Sequence, residues 1–184
     1  MAVKRLNAQF DAQLLFTELR TKMKEVGQQE SNQFLLTPHP SHLLLNEQAC
    51  WTMGAGSLYD DEAKRYWART SDFSELHETF KGTQVGECVE LVREIAFGFK
   101  KKIGRVRLLT LDPKTCYSLH TDKEEFRFHI PLFTSSSSFF VCNDLIDRMP
   151  VPGQLYLFKT DAPHTAVNAH KFEKRSHLVF DTFD

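Results

Sequence analysis

The stretch SLHTDKEEFRFHIPL, residues 118–132, puts His120 and Asp122 two positions apart and then Arg127 and His129 on one side of a hydrophobic segment. Side chains at i and i+2 leave an extended strand on the same face. An imidazole and a carboxylate placed so can take adjacent positions on one metal ion. A His-x-Asp pair arises readily by chance, so alone it is a weak motif. His164, in LFKTDAPHTAVN, follows an aromatic strand and a turn and offers a third ligand from a distant part of the chain. The plain alternative for His164 is a loop histidine with a local hydrogen bond.

Two histidines and one carboxylate on one face of an octahedron leave three positions open, as in non-haem Fe(II) oxygenases. Arg175 opens the segment RSHLVFDTF, in which Arg175, His177 and Val179 share one face and Ser176, Leu178 and Phe180 the other. Arg127, His129 and Pro131 share a face in the same way, opposite Phe126, Phe128 and Ile130. Arginines aimed into a protein interior need an anion to offset their desolvation, and a dicarboxylate would supply one, since guanidinium binds carboxylate through two parallel hydrogen bonds. Taken singly, either arginine could lie on a solvated face. The ordered set of His-x-Asp, Arg-x-His, His and Arg favours a site. His177 shares the Arg175 face and is read as a packing or supporting residue, because His164 already completes the ligand set. Asn168 suits turn chemistry as well as a site, and His39, His42, His77 and His170 read as surface or loop residues.

These residues need strands to hold them, and from residue 104 onward the apolar pattern has a period of two. RVRLLTL, EFRFHIPL, SFFVCND, GQLYLF and RSHLVFDTF are short β-branched or aromatic runs, separated by turn signals such as DPK, VPG and TDAPH. Their spacing suits an antiparallel sandwich or small barrel. The first half reads helical. FDAQLLFTELRTKMKEVG carries Leu15, Leu19, Met23 and Val26 on one face with Gly27 as a stop, and GECVELVREIAFGFKKK carries Val89, Val92, Ala96 and Phe99. The reading is one domain over 1–184, with a mainly helical part at 1–103 and a jelly-roll core at 104–184. Trp51, Tyr59, Arg65, Tyr66, Trp67 and Arg69 are candidates to line a pocket.

The chain has 184 residues, 41% hydrophobic and 26% charged, which suits one soluble globular domain. Its 16 Phe predict an aromatic core. A net charge of −1 gives no electrostatic reason to expect nucleic acid or an anionic membrane as partner. The basic run Lys100, Lys101, Lys102, Arg105 and Arg107 reads as a solvated helix C-terminus. Cys50, Cys88, Cys116 and Cys142 form no Cys-x-x-Cys pair, so free thiols in a reducing, cytoplasmic setting are expected. No signal peptide and no membrane span are expected.

From Gly104 to Asp184 the chain resembles the aspartyl/asparaginyl β-hydroxylase-like branch of the Fe(II)/2-oxoglutarate-dependent dioxygenases. GRVRLLTLDP, LHTDKEEFRFHIPLFT, VPGQLYLFKTDAPHTAVN and KRSHLVFDTF carry the likeness in that order. The resemblance implies an α+β fold built on a double-stranded β-helix, a cupin-like jelly roll, with the N-terminal helices packed on it. It implies Fe(II) on His120 and His164, Arg175 on the distal carboxylate of 2-oxoglutarate, and Arg127 and His129 near that co-substrate. The animal aspartyl hydroxylases of this branch carry Gly where Asp122 stands, so here a triad of His120, Asp122 and His164 is expected. The implied activity is hydroxylation of a C–H on an amino acid, free or in a peptide, with O2 and 2-oxoglutarate consumed. The alternatives are the same iron site acting on another small metabolite, and a non-catalytic jelly-roll binding module.

Overall fold

The computed structural model describes residues 2–42, 49–53, 55, 56, 58–60 and 62–184. The side chains of His42, Ala49, Tyr59 and Asp60 fall outside the described set. In chain order the regular elements are β1 (Val3–Gln9), α1 (Ala12–Glu25), β2 (Gln33–Leu35), a ribbon of β3 (Tyr59–Asp60) and β4 (Arg65–Tyr66), and α2 (Gln84–Gly98). There follow β5 (Lys102–Leu111), β6 (Thr115–Cys116), β7 (Phe126–Phe133), β8 (Ser138–Cys142), β9 (Leu145–Asp147), β10 (Gln154–Lys159), β11 (His164–Asn168) and β12 (Arg175–Phe183). The strands form a larger sheet ordered β1-β10-β7-β12-β5-β2 and a smaller one ordered β6-β11-β8-β9, with every named pairing antiparallel. Two antiparallel sheets with two helices against one of them make an α+β double-stranded β-helix.

Alternation along the strands builds two cores. Phe128 and Ile130 of β7, Leu178 and Phe180 of β12, and Val106 and Leu108 of β5 face the helices, where they meet Leu15, Leu19 and Met23 of α1 and Val85, Val89, Val92 and Ala96 of α2. Asp11 caps α1 by accepting from the Leu14 N–H, and Thr83 caps α2 by accepting from the Gly86 N–H. Gly27 takes φ +68 just past α1, the left-handed turn that glycine adopts at least cost. The opposite face of the larger sheet meets the smaller one through Leu111, Tyr156, Phe158, Phe140, Cys142 and Ala166. No helix among the described residues is long and apolar enough to cross a membrane.

Two expectations need correction. The part read as mainly helical, 1–103, also donates β1 and β2 to the larger sheet. β1 is an edge strand whose outer face is solvated, so Lys4 and Arg5 interrupt any apolar period. β2 is only three residues long and shows none. Secondly, Arg105 and Arg107 do not belong to a solvated helix end. They lie on β5, each 5% exposed, on the inner face of the sheet.

One contact ties the irregular segment before α2 to this sheet. A Cβ on Gly104 would fall 2.2 Å from the Thr70 carbonyl oxygen, and Thr70 Oγ1 donates to Glu124 across the cleft mouth at 2.7 Å. Gly104→Ala must push that segment off β5, at a cost of about 1–3 kcal/mol for overpacking. A urea midpoint equal to the parent's would contradict this.

Candidate active site

His120 and His164 face each other across an isolated antiparallel bridge. The His120 N–H donates to the His164 carbonyl at 3.1 Å and the His164 N–H to the His120 carbonyl at 2.8 Å. This pairing brings the rings to 4.4 Å between centroids. Each Nδ1 lies against a backbone carbonyl, Ser118 at 2.7 Å for His120 and Ala162 at 2.8 Å for His164. A carbonyl only accepts, so each Nδ1 donates, and Nε2 is the ring nitrogen turned toward the Asp122 carboxylate, where a metal would be met. Asp122, pinned by its N–H to the Thr160 carbonyl at 2.9 Å, has Oδ1 3.8 Å from His120 Nε2 and Oδ2 3.4 Å from His164 Nε2. The three donor atoms all lie within 4.8 Å of one another. Burial would raise the Asp122 carboxyl, but the His164 contact and the Arg127 charge outweigh it and hold the group below its ordinary range.

The strand faces read from the sequence hold, and they bring the charged residues to one floor. Arg127 points inward from β7, with Nη1 2.7 Å from Asp122 Oδ2 and Nε 2.7 Å from Asp181 Oδ1. Asp181 is fully buried and also pairs with Arg105 Nε at 2.7 Å and Arg107 Nη2 at 2.9 Å. The three guanidinium groups together overcome burial and hold its carboxyl far below the usual range. Thus Arg127, expected near the co-substrate, is occupied by two carboxylates of the protein itself.

Arg175 differs from all of these. It is 3% exposed and has no acidic partner among the described residues. Its contacts are the Phe140 ring, 4.5 Å from the guanidinium carbon, and His177 Nδ1, which accepts from Nη2 at 3.2 Å. Burial pushes its pKa down to about 10. Tyr117 is a neighbour that sequence reasoning passed over. Its hydroxyl is buried without a partner, and the charges of Arg175, Arg107 and Arg127 all act on it. Its place three residues before His120 was the available signal.

His129 is buried edge-on against Phe140, Phe158 and His177, with both ring nitrogens unpartnered. His177 is 1% exposed and does not border the cleft. Asn168 donates to the Leu111, Asp112 and Glu173 carbonyls and so ties β11 to its neighbours. His170 accepts from the Phe172 and Glu173 N–H groups, and His77 from the Thr79 N–H, so both cap local turns.

These side chains border a cleft of about 1560 Å³, whose rim includes Tyr66, Trp67 and Arg69. Trp51 instead stacks on Phe34 in the helical core, with centroids 5.1 Å apart. Neither Trp51 nor Arg65 borders the cleft.

Burial, followed by the Arg175 charge, lowers the pKa of both His129 and His177 well below 6.5. Both rings are therefore neutral in the fold, while in the unfolded chain they protonate near pH 6.5. The unfolded chain then binds more protons below that pH, so stability is full above pH 6.5 and falls as pH drops below it. The slope is about 1.4 kcal/mol per pH unit for each histidine. Replacing both by glutamine should flatten this part of the urea-midpoint profile, and an unchanged slope would place the acid sensitivity elsewhere.

By sequence, neither the family profiles nor the curated proteins give a match. By structure the chain shares its fold with solved proteins. The viral collagen prolyl hydroxylase vCPH of Paramecium Bursaria Chlorella virus-1 matches with a TM-score of 0.59 at 9% identity, over 99% of this chain and 90% of that one. The same enzyme has been solved as a 2OG complex. A prolyl-4-hydroxylase of Pseudomonas putida matches with a TM-score of 0.55 at 10% identity, over 99% of this chain and 93% of that one. What is shared is the fold. The chain spans 55% of the length of a third protein, a 2OG-Fe(II) oxygenase-family oxidoreductase from Burkholderia pseudomallei, at 16% identity and a TM-score of 0.44.

Proposed function

We propose that this chain is an Fe(II)- and 2-oxoglutarate-dependent oxygenase that hydroxylates a C–H of an amino acid, free or within a peptide. The observation that carries this reading is Arg175, a buried guanidinium with no carboxylate partner among the described residues, in the same cleft as the His120, Asp122 and His164 donors. A buried cation left unpaired is costly unless a ligand brings the counter-charge. The donor set fits iron(II), because two imidazoles that present Nε2 and one ionised carboxylate make the two-histidine, one-carboxylate face.

His120, Asp122 and His164 would hold the metal, and Arg175 the distal carboxylate of 2-oxoglutarate. Bound iron(II) and 2-oxoglutarate supply the oxidising chemistry, in which O2 and 2-oxoglutarate give succinate, carbon dioxide and a hydroxylated substrate. The protein's own part begins with the carbonyls of Ser118 and Ala162, which hold the imidazole tautomers. His129, neutral and set among Phe140 and Phe158, makes a dry wall that adds no competing charge. Arg175 would orient the co-substrate, since a guanidinium can bind a carboxylate through two parallel hydrogen bonds.

The cleft is wider than the roughly 300–1,000 Å³ usual for small-ligand sites, which supports a peptide-sized substrate passing under Tyr66 and Trp67. The resemblance to the aspartyl/asparaginyl branch makes Asp and Asn side chains the first candidates. The prolyl hydroxylases that share the fold add proline. A cytoplasmic setting, without nucleic acid or membrane as partner, belongs to the same proposal.

Anaerobic titration of the protein with Fe(II) and 2-oxoglutarate should give a weak visible charge-transfer band at one equivalent of each. Succinate release over Asp, Asn and Pro peptides and free amino acids then identifies the substrate. A protein that forms no band and binds no 2-oxoglutarate is not this enzyme.

A further inference from the structure

The buried charges continue behind the metal-donor cluster. Arg127 is held between two carboxylates, Asp122 in front at 2.7 Å and Asp181 behind at 2.7 Å. Asp181 is itself gripped by Arg105 and Arg107. Those two are anchored through Nη1 to the Gly56 and Ala55 carbonyls at 2.7 and 2.6 Å. Asp181 has no exposed surface and does not border the cleft, so it touches neither metal nor substrate. Yet it stands one guanidinium away from a metal donor.

We infer that Asp181, acting through Arg127, is a positioning residue that sets how Asp122 is presented to the metal. The inference rests on the metal-site reading above. Asp122 lies outside the strands, so the orientation of its carboxylate rests on side-chain contacts, of which the Arg127 pair is the shortest. A guanidinium paired with Asp122 alone would close on both of its oxygens and compete with a cation for them. Asp181 prevents this by pulling from the other side. It sits directly across from Arg127 in the β7–β12 register, which fixes the distance over which that pull acts. Arg105 and Arg107 keep Asp181 anionic and immobile. Arg127 is thereby held at a set reach, engaging Asp122 enough to orient it without capturing it.

The test uses the full chain, with Mn(II) as the metal probe followed by its free-ion EPR signal. Affinity for 2-oxoglutarate is measured by calorimetry at saturating Mn(II), and the thermal midpoint without metal reports folding. Asp181→Asn should weaken Mn(II) binding at least ~10-fold, the lower end of what lost support of a metal ligand costs, and leave the 2-oxoglutarate affinity unchanged. Arg127→Lys keeps the charge but loses the two-ended fork, and should weaken Mn(II) binding likewise. Asp181→Asn strands three guanidinium groups, so Asp181→Asn with Arg105→Met, which restores the local charge balance, gives the decisive value if the single variant does not fold. Mn(II) affinity equal to the parent's in the variants that fold overturns the inference. So does a lower midpoint with both affinities unchanged, since the network is then only structural. A loss confined to 2-oxoglutarate overturns it as well, because Arg127 would then be a co-substrate contact. A parent chain that binds no Mn(II) sinks the metal-site reading itself, a result separate from all of these.

Discussion

Asp122→Ala should abolish metal-dependent succinate formation, with Mn(II) affinity falling by more than the roughly 10- to 100-fold that losing a supporting contact costs. One of three donor groups disappears, and a second effect adds to it. Arg127 Nη1 now lies 2.7 Å from the Asp122 carboxylate. With that carboxylate gone, a buried guanidinium faces the metal position with nothing between them. Asp181 still pairs with Arg127, but it also serves Arg105 and Arg107. A two-histidine site like that of the animal aspartyl hydroxylases, which carry Gly here, would therefore have to hold a dication against an adjacent cation. Asp122→Gly separates the two modes. Turnover within a few-fold of the parent would show that His120 and His164 suffice and would remove Asp122 from the ligand set. Asp122→Glu keeps the charge but lengthens the reach, and should recover part of the metal affinity if the carboxylate is a ligand.

Arg175→Met should raise the 2-oxoglutarate concentration needed for half-maximal turnover by about 100-fold or more. Two charge-assisted hydrogen bonds of roughly 1.5–3 kcal/mol each are lost together. The same substitution should not lower the thermal midpoint of the ligand-free protein. Methionine fills similar space without a charge, and a buried charge replaced by an apolar side chain of similar size is often neutral or stabilising. Burial, which pushes the Arg175 pKa down to about 10, is the cost that the substitution removes. The lost contact with Phe140 offsets part of that gain. Adding Mn(II) and 2-oxoglutarate should raise the midpoint of the parent by mass action, while Arg175→Met should gain only the share due to Mn(II). A midpoint several degrees lower with an unchanged co-substrate requirement would make Arg175 a packing residue.

The most legible features were those governed by local periodicity. Alternation in EFRFHIPL and RSHLVFDTF assigned Arg127, His129, Arg175 and His177 to the faces they occupy, because a strand turns successive side chains to opposite sides whatever its neighbours. The apolar faces of α1 and α2 were readable for the corresponding reason at a period of 3.6. Arg105 and Arg107 were not readable. Their i, i+2 spacing put them on one strand face, but what makes that face an interior is Asp181, more than seventy residues away. Without that partner, five basic residues in an eight-residue stretch look solvated. Arg127 was placed on the correct face, while its partners were hidden for the same reason. β1 was missed because one flank of an edge strand needs no apolar pattern, and Tyr117 because a lone tyrosine in a loop carries no periodicity at all.

The order of the residues thus settled the strand faces, the helix faces and the types of donor available, since each depends on neighbours within a few positions. The folded chain settled which charges meet. Whether a buried arginine is balanced by a carboxylate or left for a ligand depends on distances across strands, and a chain's linear order does not contain them. Arg127 and Arg175 stand on like faces of adjoining strands. Among the described residues one is paired with Asp122 and Asp181 and the other with no carboxylate, and on that difference rests the proposal that Arg127 shapes the site and Arg175 binds the co-substrate.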